Sequence, residues 1–135
     1  MIFDAENRFS HDQAITGDAA SENLIDLGVA GTPANGNALV RNIGKGETLR
    51  VVVSVTDVTT GGALQVDLEQ DTTDAFSSAT VLASESVTVG SDPGDEIMFY
   101  IPDTVTEQYI RLNYTASSVN FKLDAGIVGG YQSNS

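Results

Sequence analysis

Apolar and polar side chains alternate with a period of two along most of this chain. The clearest run is 47–57, where Leu49, Val51, Val53 and Val55 fall on one side and Arg50, Val52, Ser54 and Thr56 on the other. Residues two apart share a face in a strand and are spread around a helix. The β-branched content of the run also suits a pleated surface. Gly61-Gly62 follows, and Leu64, Val66 and Leu68 then alternate with Gln65, Asp67 and Glu69. Two alternating runs around a Gly-Gly pair predict a hairpin whose loop lies near 58–62. Short strands are predicted at 80–83 and 86–89. A strand over 96–101 places Ile97, Phe99 and Ile101 together and stops at Pro102. One over 109–115 aligns Ile110, Leu112 and Tyr114, and one over 120–128 aligns Phe121, Leu123, Ala125 and Ile127. Weaker candidates lie at 13–16 and 23–27.

Turn chemistry separates these runs: Thr32-Pro33 within 28–36, Gly44-Lys45-Gly46, Gly61-Gly62, and Ser91-Asp92-Pro93-Gly94-Asp95. No segment carries an apolar stripe at helical spacing, although 74–78 leaves room for a single helical turn. About eight or nine short strands with Gly- and Pro-rich punctuation predict an all-β fold, a jelly-roll-like antiparallel β-sandwich. No internal repeat or linker divides the chain. The expectation is one domain over 1–135, with an extended N-terminal arm at 1–12 and a C-terminal tail at 129–135.

Length and charge narrow this further. A domain of 135 residues buries roughly two-thirds of the surface of its unfolded chain and needs no staple. With no cysteine, a disulfide framework, a thiolate metal site and a cysteine nucleophile are all excluded. The net charge is −13, a field that repels phosphate backbones and anionic lipid. Nucleic acid and membrane are therefore not expected partners. No apolar run approaches the length of a membrane span. The start, MIFDAENRF, is acidic where a secretion leader is basic, so no leader is expected.

No residue pattern carries catalysis. His11 is the single histidine, it lies in a polar segment, and no GxSxG elbow surrounds any serine. Asp67, Glu69 and Asp71 share one face of a predicted strand opposite Leu64, Val66 and Leu68, and read as its solvated side. The Asp92-Pro93-Gly94-Asp95-Glu96 segment lacks the alternating ligand spacing of a calcium loop. Gly44-Lys45-Gly46 is not a phosphate loop, and the Asn113-Tyr114-Thr115 sequon lies inside a predicted strand. No enzyme activity, cofactor or metal is expected.

Several segments taken together resemble a known family. MIFDAENRFSHDQAIT followed by AASENLIDLG, the connection RNIGKGE, the stretch ALQVDLEQDTTDAFSSATVLASE and the C-terminal EQYIRLNYTASSVNFKLDAGIV resemble the capsid cement (decoration) proteins of Bordetella-type podophages. The likeness runs from Met1 to about Val128 and consists of strand and turn patterns. It implies a virion structural protein on the capsid exterior, made in the host cytoplasm. It implies a homo-oligomer, dimer or trimer, on a symmetry axis, with the major capsid protein shell as partner. It implies no catalytic residue. Ile2, Phe3 and Phe9 on the N-terminal arm, and Tyr131 on the tail, are the candidate contacts. Removal of residues 1–10 is accordingly expected to weaken shell binding and spare the fold. The rival reading is a carbohydrate- or host-surface-binding β-sandwich, against which the absence of tryptophan counts.

Overall fold

The structure, a computed structural model, describes residues 8–27, 49–102 and 105–128. Among these residues there are nine strands and no helix: β1 (Arg8–Ile15), β2 (Ala19–Ala20), β3 (Ile25–Asp26), β4 (Arg50–Thr60), β5 (Gly62–Asp71), β6 (Thr80–Val89), β7 (Glu96–Tyr100), β8 (Tyr109–Ala116) and β9 (Asn120–Val128). They form two antiparallel sheets. One has the order β1-β9-β4-β7; the other has the order β2-β8-β5-β6, with β3 also paired to β8. With β2 and β3 counted as one position, these are the two sheets of a jelly roll, in which successive strands mostly alternate between sheets.

The alternation seen in the sequence becomes the core. Val51, Val53 and Val55 of β4, Ile97 and Phe99 of β7, and Phe121, Leu123, Ala125 and Ile127 of β9 face inward from the first sheet. Leu64, Val66 and Leu68 of β5, and Ile110, Leu112, Tyr114 and Ala116 of β8, meet them from the second. Burial of the apolar faces of two sheets supplies the driving force.

Three expectations are corrected. β4 and β5 are not a hairpin: they lie in different sheets, and Gly61 is the corner between them. A side chain at Gly61 would run into the carbonyl oxygens of Val89 and Gly90, so the corner requires glycine. The sequence-adjacent ladder is instead β5–β6, joined through 72–79, where turns replace the expected helical turn. The runs 80–83 and 86–89 are one strand, β6, with an irregularity where Ala83 faces Leu68 and Val81 faces Glu69. Val52, on the outward side of β4, is fully buried beside its partners Met98 and Gly126.

Candidate functional site

Of the expected contact residues, Phe9 is the one the structure describes, and it is no surface anchor. It sits in β1 with no exposed surface, inside the hydrophobic core. The segment 8–12, expected as part of an arm, is strand paired to β9. Its polar residues hid the strand, because two register shifts, between Arg8 and Ser10 and between Ser10 and Gln13, break the period-two pattern. Ile2, Phe3 and Tyr131, and the tail 129–135, lie outside the described residues.

The shifted strand is held by a buried polar network. Ser10 Oγ lies 2.7 Å from the Tyr114 hydroxyl on the opposite sheet and donates to Gln13 Oε1 at 2.6 Å. Gln13 Nε2 donates to the Ala20 carbonyl, and Gln13 Oε1 also accepts the Glu22 N–H. Burial pushes the Tyr114 hydroxyl far above its ordinary pKa, so it stays protonated. Asp12, at φ 46, turns the strand outward, where its backbone N–H donates to Asp124. His11 lies on this exposed turn, 3.5 Å from the Asp124 carboxylate. Glu22 accepts its backbone N–H.

The carboxylates of β5 are also not as the alternation suggested. Asp67 is only partly covered, and accepts from Gln65 Nε2 and from Ser84 Oγ. Glu69 and Asp71 are buried, at 9% and 5% exposure. Glu69 pairs with Arg111 at 3.0 Å, and the Arg111 guanidinium stacks 4.3 Å from the Phe76 ring centroid. Asp71 accepts the backbone N–H groups of Ser78, Thr72 and Thr73. These bonds, Ser78's above all, hold its pKa below the ordinary value. Asp71 thus holds the 72–79 loop directly, and Glu69 holds Arg111, which in turn stacks on Phe76 of that loop. Neighbouring Gln70 does the same for 106–107, accepting their N–H groups.

The turn at 91–95 is fixed to β4: Val55 N–H donates to the Asp95 carbonyl, and Gly94 N–H to the Val55 carbonyl. Among the described residues no group of three His, Cys, Asp or Glu side chains is placed to hold a metal. A groove of about 730 Å³ opens at one end of the second sheet, lined by Thr16, Asp18, Gln65, Ser86, Thr115 and Ser118 among others. Its polar groups are hydroxyls, an amide and one carboxylate, with no aromatic ring.

The residues missed at the sequence level are Met98 and Tyr100. They alternate with the core residues Ile97 and Phe99 on β7, face outward, and are 43% and 58% exposed. The Arg50 guanidinium lies 5.3 Å from the Tyr100 ring centroid. The signal was present: β7 reads Glu-Ile-Met-Phe-Tyr, so both of its faces are apolar, and only one can serve the core of a sandwich.

Comparison with known proteins adds the following. The family model described as Bbp16 matches residues 9–128. No curated protein matches. Among solved structures, one titled "Crystal structure of PirA" superimposes with a TM-score of 0.51 at 13% identity, covering 89% of this chain and 94% of that one. At that identity the likeness is one of fold.

Proposed function

We propose, from the premise that this chain belongs to the Bbp16 family, that it is a structural protein of a phage virion. In this reading it binds the outer surface of the assembled capsid, clamps neighbouring major capsid subunits, and catalyses nothing. The observation that carries the proposal is the family match over 9–128, under a name that points to a Bordetella phage protein. The fold supports it. Two sheets locked by a continuous core hold surface contacts at fixed spacing, and the Glu69 and Asp71 carboxylates are occupied by structural bonds. A clamp works by adding an interface that must break before subunits separate. Stable interfaces bury about 1,200–2,000 Å², and repetition on a symmetric oligomer raises effective affinity by roughly 10²- to 10⁴-fold.

The test is co-sedimentation of the purified protein with expanded shells that lack it, followed by imaging of the particles. Saturable binding at fixed symmetry positions is expected; no binding by the folded protein overturns the reading. Deletion of an N-terminal arm must stop at residue 7, because Phe9 and Ser10 belong to the core and its polar network. The 730 Å³ groove favours a second reading, a saccharide-binding module. Binding on a glycan array, lost on Gln65→Ala, would support that one instead.

A further inference from the structure

We infer that β7 is a self-pairing edge, through which two copies of this chain join their first sheets into one continuous sheet about a two-fold axis at Met98. An unpaired strand edge is a template for association, and proteins blunt the edges they do not use. Among the described residues the sandwich has four such edges, and three are blunted. β1 carries two register shifts and the positive-φ residue Asp12. β2 and β3 are two residues long each. β6 has the irregularity opposite Leu68–Glu69 and the charge of Glu85 near its middle. β7 pairs with β4 without a shift, from Arg50↔Tyr100 to Ser54↔Glu96, and exposes Met98 and Tyr100.

The hydrogen-bond phase of β7 selects the register. Ile101 N–H donates to the Leu49 carbonyl, and Val55 N–H to the Asp95 carbonyl. In an antiparallel ladder, pairs that exchange bonds alternate with pairs that do not. The odd-numbered residues of β7 therefore bond toward β4, and Glu96, Met98 and Tyr100 turn their N–H and C=O groups outward. A two-fold axis at Met98 sets Met98 opposite Met98, and Glu96 opposite Tyr100 of the second copy. Every one of these pairs is in bonding phase. Side chains complement as well, because Glu96 of one copy then lies beside the Tyr100–Arg50 stack of the other. Both exposed apolar residues of β7 gain a cross-strand neighbour in the same step. The occupant is thus a second copy of the chain, since the strand matches itself in phase, charge and apolar surface.

This names the interface for the self-association that the clamp reading contains, yet its test needs no shell. Sedimentation velocity of the full chain should show a dimer. Met98→Pro removes an outward N–H and the Met98 side chain, leaves the β4 ladder whole, and should weaken dimerisation by at least about tenfold. Because the chain has no cysteine, cross-linking reads the register directly. Met98→Cys should oxidise to a linked dimer, since paired Cα atoms lie roughly 5.5 Å apart, within disulfide reach. Glu96→Cys and Tyr100→Cys should each stay unlinked alone and link when mixed. A monomeric wild type, a dimer indifferent to a folded Met98→Pro variant, or no Met98→Cys link overturns the inference. Shell binding by a monomer would leave the clamp reading standing and this one refuted.

Discussion

β1 and β7 are the two edges of the same sheet, and they are finished in opposite ways. β1 bends twice, turns outward at Asp12, and is bolted to the opposite sheet by the Ser10–Tyr114 contact. β7 is short, regular and apolar on both faces, with its bonding groups in register and two large side chains in the open. Strand irregularity is usually read as weakness. Here the irregular edge is the one committed to the fold, because its shifts bring both Phe9 and Ser10 inward. The regular edge is the one available to another chain. Shape regularity and commitment to the core are separate properties, and mutations can separate them.

The largest effect should come from β1. Phe9→Ala removes a wholly buried ring and should cost about 3–5 kcal/mol, measured by denaturant unfolding. Next is the pair Ser10→Ala and Tyr114→Phe, which cut the same contact from opposite sides. Tyr114→Phe leaves the Ser10 hydroxyl donating to Gln13 and should cost about 0.5–1.5 kcal/mol. Ser10→Ala leaves the buried Tyr114 hydroxyl without its hydrogen-bond partner among the described residues, at about 1–3 kcal/mol. Equal costs for the two would mean that another group satisfies Tyr114, and that β1 is tied down less tightly than its geometry indicates.

The contrast between the edges also explains what the sequence made legible. Period-two alternation identified every long strand of the interior, because β4, β8 and β9 each bury one face against the opposite sheet. It failed at β1, where Phe9 and Ser10 both point inward across a register shift. It failed again at Gly61-Gly62, since alternation shows where strands lie and is silent on which strands pair. A corner between sheets and a hairpin share the same glycines. At the end of β5, Glu69, Gln70 and Asp71 are all buried in succession. There the polar residues serve as internal partners for Arg111 and for loop N–H groups, a role that no face-counting rule anticipates. The groove depends on which strands end each sheet, and only the three-dimensional order supplies that; the second apolar side of β7 was written in its sequence, but its place at a sheet edge was not.

Asp71 gives the next smaller test, and its sign is fixed by its bonds. Its folded pKa is depressed below the ordinary 3.8. Its contribution to stability is therefore complete above that unfolded value and is lost as pH falls through the lower, folded value. Asp71→Asn should lower stability at neutral pH and flatten the acid limb of a pH titration of unfolding. An unchanged acid limb would show that the Ser78, Thr72 and Thr73 bonds do not favour the charged form.

The smallest effect on the fold should come from β7, and it decides whether the edges differ in kind. Met98→Ser and Tyr100→Ser remove apolar surface that the isolated chain leaves in water, 43% and 58% exposed. Each should change the unfolding free energy of the monomer by no more than about 1 kcal/mol, the Arg50 stack on Tyr100 included, read at a concentration low enough to hold the chain monomeric. Their outward position also spares the inward residues Ile97 and Phe99, which continue to cover the core from the same strand. If either substitution instead cost as much as Phe9→Ala, Met98 or Tyr100 would be a structural residue of the lone sandwich. β7 would then be a second committed edge, and its exposed pair would no longer mark a surface kept for a neighbour. A near-zero cost to the monomer, together with a marked loss of self-association at higher concentration, assigns these two side chains to the assembly alone.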